Sequence, residues 1–343
     1  MKIIFDDSAV KERLWPLTAT RNAADIRVGI LTIREKWEII LTKAGYKTEG
    51  IKENRANLIP TTEWVDLHGH LNDDDIPIVW GLDDLKILNH PSDIFKFNDW
   101  AIRKDYRLIT DWRKSQPISS SNQIISPQNI FIEEGASVEC SIINASTGPV
   151  YIGKNATVME GCIIRGPFAL CEGATLKMGA KVYGATTIGP YCSAGGEIKN
   201  SVLFAYSNKA HDGYLGDSVI GEWCNLGAGT TNSNVKNTAG EVKMWNNPVK
   251  DFVGVGIKAG LIMGDYSRAA INTSFNTGTV VGVCCNIFSE GFPPKLVNNF
   301  TWGNERYKFE KAIQDIDNWK KLKGKSISGE EKEFLKQLYN QSH

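Results

Sequence analysis

Small or aliphatic residues return at every sixth position between Ile152 and Ala194: Ile152, Val158, Ile164, Leu170, Leu176, Val182, Ile188 and Ala194. A helix repeats its buried face every three to four residues and an ordinary strand every two, so this period belongs to neither. Gly follows the aliphatic at Ile152-Gly153 and Ile188-Gly189, which completes the hexapeptide signature of a parallel β-helix. Each unit is one short strand and a turn. Its single inward aliphatic stacks on that of the next coil, about 4.8 Å away. A sandwich of short strands would instead require period-two alternation.

Before the repeat, Lys2 to Phe5 reads as a strand, and Pro16 keeps Leu14 to Arg21 extended or turned. Ile30 to Ala44 reads as a helix with Ile33, Trp37, Ile40 and Leu41 on one face. A second α/β stretch ends in a helix over Pro91 to Asp105, and the Ser/Gln/Pro-rich run Lys114 to Gln123 marks a domain boundary. The expected domains are 1–120 (α/β), 121–295 (hexapeptide-repeat β-helix) and 296–343 (helical). Ser328 with Glu331 announces the last helix as a capping box. Trp302 to Lys323 alternates aromatic and charged residues, as a helix packed on the rod would.

Composition narrows the function. The 343 residues hold 39 Lys plus Arg against 39 Asp plus Glu, with no basic block, which argues against a nucleic-acid partner. The apolar start is interrupted by Asp6 and Asp7, and no later segment approaches a membrane span. Seven cysteines without C-x-x-C spacing read as small buried hydrophobes in a reducing cytosol, so a cytoplasmic protein is expected.

Identical coils offer no concave chemistry, so function is sought where the repeat breaks. Two breaks are read: Ala205 to Asp217, and the Lys- and Asn-rich stretch that follows Leu226 to Asn234 and runs to Val249. Glu197-Ile198-Lys199, His211 with Tyr214, Leu215-Gly216-Asp217, Asn225, Leu226-Gly227-Ala228-Gly229-Thr230 and Asn234 lie here in close sequence. This pattern resembles the hexapeptide-repeat acyltransferases. It is most similar to the acetyltransferase half of the bifunctional N-acetylglucosamine-1-phosphate uridylyltransferase / glucosamine-1-phosphate acetyltransferase family, over about Gly184 to Asn234. The Arg that the family carries on the coil before its Lys has no counterpart, Lys177 and Lys181 being the nearest basic residues. The Tyr after its last Asn is Val235.

The resemblance implies a left-handed coil, a homotrimer, and acetyl-CoA lying along the rod between subunits. It also implies transfer of the acetyl group to the amine of an amino-sugar phosphate. His211 is then the general base, because a sugar ammonium must lose a proton to attack; taken alone, a single His is more often a surface residue. Lys199, Tyr214, Asn225 and Asn234 would bind the sugar phosphate, although Asn also suits tight turns. Gly227, Ala228 and Gly229 would face the coenzyme and offer N–H donors to the oxyanion.

The N-terminal P-L-T-A-T-R and the run Arg27 to Trp37 look like the start of a sugar nucleotidyltransferase-like domain, reduced and without its Gly-rich loop. Arg21 and Arg27 are phosphate-binding candidates there, or partners in a structural ion pair. The alternative function is a sugar-1-phosphate nucleotidyltransferase that uses Mg²⁺ and a nucleoside triphosphate, with the β-helix as an oligomerisation and regulatory module. His68-Gly69-His70 with Asp73, Asp74 and Asp75 reads as a solvated loop more readily than as a metal site, so no metal ligand is assigned. Gly254-Val255-Gly256 with Gly260 misses the dinucleotide spacing and is set aside.

Overall fold

The computed structural model describes residues 3–45, 52–53, 55–62 and 85–342. The hexads build a left-handed parallel β-helix whose coils visit three sheets in turn. The first face has six strands, from Gln123–Ile125 to Tyr214–Gly216; the second has nine, from Ile130–Ile132 to Leu296–Val297. The third has ten, from Ser137–Val138 to Glu305–Arg306, so coil strands continue beyond residue 295. The eight aliphatics that carry the period all lie in one buried column cluster.

The corner between the second and third faces needs a left-handed residue in every coil. Tyr191, Tyr206, Trp223, Tyr266, Cys284 and Phe300 take φ between 55° and 62° there. That conformation costs a non-Gly residue about 1–2 kcal/mol. Stacking offsets it in part: Tyr191 on Tyr206 and Tyr206 on Trp223 lie nearly parallel, with centroids 5.1 and 4.2 Å apart, each contact contributing about 0.5–1.5 kcal/mol.

Two of the faces are covered. The N-terminal segment supplies α1 (Ile33–Lys43), which starts at a Thr32/Glu35 capping box and buries Ile33, Trp37, Ile40 and Leu41 as its periodicity requires. Next comes α2 (Ser92–Thr110), longer than the sequence suggests. Both pack with Val202, Phe204, Val219 and Ile262 from the outside of the second face in one apolar cluster. The Asn98 amide donates to Ala185 O at 2.8 Å, and its oxygen accepts from the N–H of Gly29 at 2.7 Å. At the other end α3 (Phe309–Lys321) and α4 (Gly329–Gln341, opened by the Ser328/Glu331 capping box) pack around Phe300, Tyr266 and Trp223. Lys320 lies over the rings of Trp223 and Tyr266 and pairs with Glu331. The aromatic run from Trp302 is therefore first a strand, Thr301–Trp302, and only from Phe309 a helix.

The first face stays bare over its early coils, where Ile125, Ile142 and Ile163 are 50%, 38% and 48% exposed. Six of the seven cysteines are buried, and burial raises their thiol pKa values. His68, His70 and Asp73 to Asp75 lie outside the described residues.

Candidate functional site

The break read at Ala205 to Asp217 is not an insertion. Register pairs Ala194 with Lys209, Ile198 with Leu215 and Leu203 with Ile220, so the six-residue step survives through Leu203, Lys209 and Leu215. A lysine standing at an inward place hid it. The irregularity lies earlier, at the corner between third and first faces. Most such corners hold four residues between inward strands, as Lys177 to Ala180 and Gly227 to Thr230 do. Between Ser193–Ala194 and Glu197–Lys199 there are only Gly195 and Gly196.

Shortening one corner leaves a notch beside the longer one above it, Ala210 to Gly213, which carries His211. Both glycines are required there. A Cβ on Gly195 would sit 2.5 Å from Ala210 O, and one on Gly196 would lie 2.8 Å from His211 O and 2.9 Å from Gly213 O. The notch is a cleft of about 300 Å³ lined by Gly179, Lys181, Gly196, Glu197, Asp212, Gly213 and Tyr214. Asp212 lines it, and both Asp212 and the preceding His211 are exposed.

The first face supplies the cleft's polar wall, since Lys181, Glu197 and Tyr214 stack in register on successive coils, as do Tyr183, Lys199 and Gly216. The Tyr183 hydroxyl donates to Glu197 Oε1 at 2.6 Å, and that bond, with burial, pushes its pKa up to about 12. Lys199 Nζ stands 5.6 Å above the Tyr183 ring. The Tyr214 phenol lies across Gly216, where a Cβ would come within 2.3 Å of its oxygen. Asn234 ties this wall together: its amide donates to Tyr214 Oη at 3.1 Å and to Asp217 Oδ2 at 2.5 Å, while Asn200 holds Asp217 Oδ1 at 2.6 Å. Burial, then the Asp217 charge, raises the pKa of Tyr214.

The structure thus gathers Lys199, Tyr214 and Asn234 on the first face, with His211 and the Gly227 to Gly229 turn on the edge beside them. Asn225 stands apart, pointing outward on the third face in register with Asn208 and Arg268. Of the glycine-turn amides, Gly227 donates to Ala269 O at 3.0 Å and Gly229 to Asp212 O at 3.0 Å. Both are spent on the coil ladder, which leaves the exposed Ala228 as the one N–H of the three open to a ligand among the described residues.

Arg21 and Arg27 take the structural alternative. Arg21 bonds Asp265, pairs with Glu222 at 3.3 Å and lies over the Phe204 ring, clamping the N-terminal segment to the rod. Burial works against its charge, but the two carboxylates outweigh that and raise its pKa. Arg27 is buried, donates to Ile30 O and reaches Glu35 at 3.5 Å. Gly254 and Gly256 belong to a hairpin, Val242–Asn246 with Asp251–Gly256, that leaves the rod within the second break and packs Val242 and Met244 under the N-terminal segment. The sequence singled out neither Tyr183 nor Lys209, and Lys181 only as one of the basic residues nearest the absent Arg. The adjacent Gly195-Gly196, followed by Ile198 only four places after Ala194, was the signal that marked the notch.

Residues 2–52 match the sugar nucleotidyl transferase family model. A bifunctional GlmU protein of Methanocaldococcus jannaschii is 38% identical over 89 residues, which is 26% of this chain and 21% of that one. One from Thermus thermophilus is 29% identical over 153 residues, 37% of this chain and 32% of that one. The chain therefore spans between a fifth and a third of the length of these relatives. The solved structure of Francisella novicida UDP-N-acetylglucosamine acyltransferase aligns with 65% of this chain and 84% of its own, at 11% identity and a TM-score of 0.23. The chain thus joins an N-terminal segment that resembles sugar nucleotidyl transferases to a left-handed β-helix of hexapeptide repeats, and over part of its length it is similar to bifunctional GlmU proteins.

Proposed function

We propose that the protein is an acetyltransferase that moves the acetyl group of acetyl-CoA to the amine of an amino-sugar phosphate. The observation that supports the reading is the cleft beside Gly196, lined by Lys181, Glu197, Asp212 and Tyr214, with the exposed His211 next to Asp212 in the chain. A sugar amine entering the notch has His211 at its rim to take the proton released as nitrogen attacks the thioester carbon. The C–N bond forms, the C–S bond breaks, and the imidazolium returns its proton to the departing thiolate. The Ala228 N–H, on the next coil of the same edge, suits the oxyanion.

Lys199 and Lys181 supply the positive charge a sugar phosphate requires, Lys181 standing on the coil before Lys199, where the family carries its Arg. The Tyr214 and Asn234 pair suits sugar hydroxyls. Asn225 lies around the edge from these groups, so its part is on the coenzyme side or in a subunit contact. The bare first face, with Ile125, Ile142 and Ile163 exposed, supports a homotrimer in which this face meets a neighbouring rod.

The match of residues 2–52 to sugar nucleotidyl transferases favours a second reading, a nucleotidyltransferase using Mg²⁺ and a nucleoside triphosphate. Against it, Arg21 and Arg27, the cations of that segment named for phosphate, are already engaged internally. Calorimetric titration separates the two. Acetyl-CoA is expected to bind with measurable heat, and UTP with Mg²⁺ to give none. Binding of UTP without binding of acetyl-CoA would transfer the assignment to the N-terminal segment.

A further inference from the structure

On the third face the inward column runs Val138, Val158, Leu176, Ala194, Lys209, Leu226, Ala269 and Ile287. Seven of these are apolar. The eighth is a lysine only 1% exposed, in a place where every other coil gains by burying a hydrocarbon. An ammonium inside an apolar column persists only when its donors are met. Those of Lys209 reach Gly195 O at 3.3 Å and, more closely, His211 O.

The corner itself explains what those bonds do. In two of the other four-residue corners a turn closes on backbone alone, Ala180 N–H donating to Lys177 O at 3.2 Å and Thr230 N–H to Gly227 O at 3.0 Å; at Ala270 to Thr273 the Thr273 hydroxyl donates to Ala270 O instead, and at Met159 to Cys162 no such bond forms among the described residues. A Gly stands at the third place of both these turns, at φ +69° for Gly179 and +74° for Gly229. In the His211 corner that place is Asp212, the glycine comes one residue late at Gly213 with φ +121°, and no Gly213-to-Ala210 bond forms among the described residues. The corner is an open bend.

We infer that Lys209 is the positioning residue of the site: from inside the rod its ammonium replaces the missing turn bond, pinning the carbonyls of Gly195 and His211 and so fixing where the imidazole stands over the notch. This rests on the reading of His211 as the base. A backbone turn would have closed the corner as tightly, but only in the geometry that Lys177 to Ala180 adopts. An internal side-chain donor allows a wider bend that carries His211 to the rim. The aliphatic stem of Lys209 completes the column beside Ala194, whose small side chain leaves it room.

The test is Lys209→Met, which keeps the stem and removes the ammonium, with Lys209→Leu as a second variant that copies the neighbouring coils. Both are expected to melt no lower than the parent protein, because each gives the column the apolar residue it carries elsewhere. Acetyl transfer is expected to fall about 10- to 100-fold in kcat with KM for acetyl-CoA unchanged. Amide exchange at Asp212 and Gly213 is expected to quicken. In a His211→Ala background Lys209→Met should cost nothing further in turnover, since it acts through that ring. Full activity with unchanged exchange in Lys209→Met, an equal loss with or without His211, or failure of both variants to fold would overturn the inference. If His211→Ala alone keeps full activity, the reading of the base has failed instead. The exchange measurement then decides by itself whether Lys209 holds the corner.

Discussion

His211→Ala should lower acetyl transfer by about 100- to 10,000-fold, the range over which a positioned general base accelerates proton removal. The loss should fall on kcat, because the imidazole acts on the proton in flight and not on the resting sugar. The melting temperature should not move: the ring is exposed, and its side chain makes no hydrogen bond among the described residues. Steady-state kinetics with a thiol-release readout checks the first point, and a thermal scan checks the second. A variant that turns over within tenfold of the parent would remove His211 from the mechanism while leaving the rod untouched.

The second large effect concerns an ion pair inside the N-terminal segment, behind the Gly29 loop whose carbonyl accepts from Thr187 of the rod. Asp105 of α2 is 2% exposed, and its Oδ2 accepts from the N–H groups of Ile30 at 2.7 Å and Leu31 at 3.1 Å, and from the Lys36 ammonium. Burial raises the Asp105 pKa and lowers that of Lys36, and each partner opposes the change in the other. The loop these groups hold is tight. Gly29 has φ +78°, and a Cβ there would lie 2.4 Å from Asp105 Oδ2. Asp105→Ala leaves Lys36 charged in an apolar setting and should cost about 3–5 kcal/mol, a large part of the ~5–15 kcal/mol that holds a domain folded. Lys36→Met in addition should cost less than its effect in the parent protein, because the charge stranded by the first change is gone. Denaturant midpoints for the four proteins measure this. Losses below about 1 kcal/mol that add independently would show the pair to be incidental.

The rod was legible because its inward positions are aliphatic and evenly spaced, and side chains that face one column must share one period. The helix faces and both capping boxes were legible for the same local reason. The second break was legible too, since a hairpin leaves the rod there, but the contraction at Gly195-Gly196 was not. Lys209 broke the apolar pattern without breaking the register, so a continuous stretch looked like an insertion. The contraction at Gly195-Gly196 kept its aliphatics, and so looked regular. Lys199, Tyr214, Asn225 and Asn234 were grouped by the family resemblance, and the coils bring Lys199, Tyr214 and Asn234 close together. Asn225 could not be placed among them: a strand two residues long presents one outward side chain, and the face it belongs to depends on the count of residues at every earlier corner. Nor could the partners of Arg21 be read. Asp265 and Glu222 lie more than 200 positions away, and only the folding of the N-terminal segment against the rod brings them together.

The central claim is that the notch left by the shortened corner is where the acceptor binds. A crystal soaked with glucosamine 1-phosphate tests it most directly. Density is expected in the cleft lined by Lys181, Glu197, Asp212 and Tyr214, with the sugar nitrogen within hydrogen-bond reach of His211 and the phosphate toward Lys181 and Lys199. An empty notch, with the sugar seated instead in the larger cleft between Trp15 and Phe334, would contradict it.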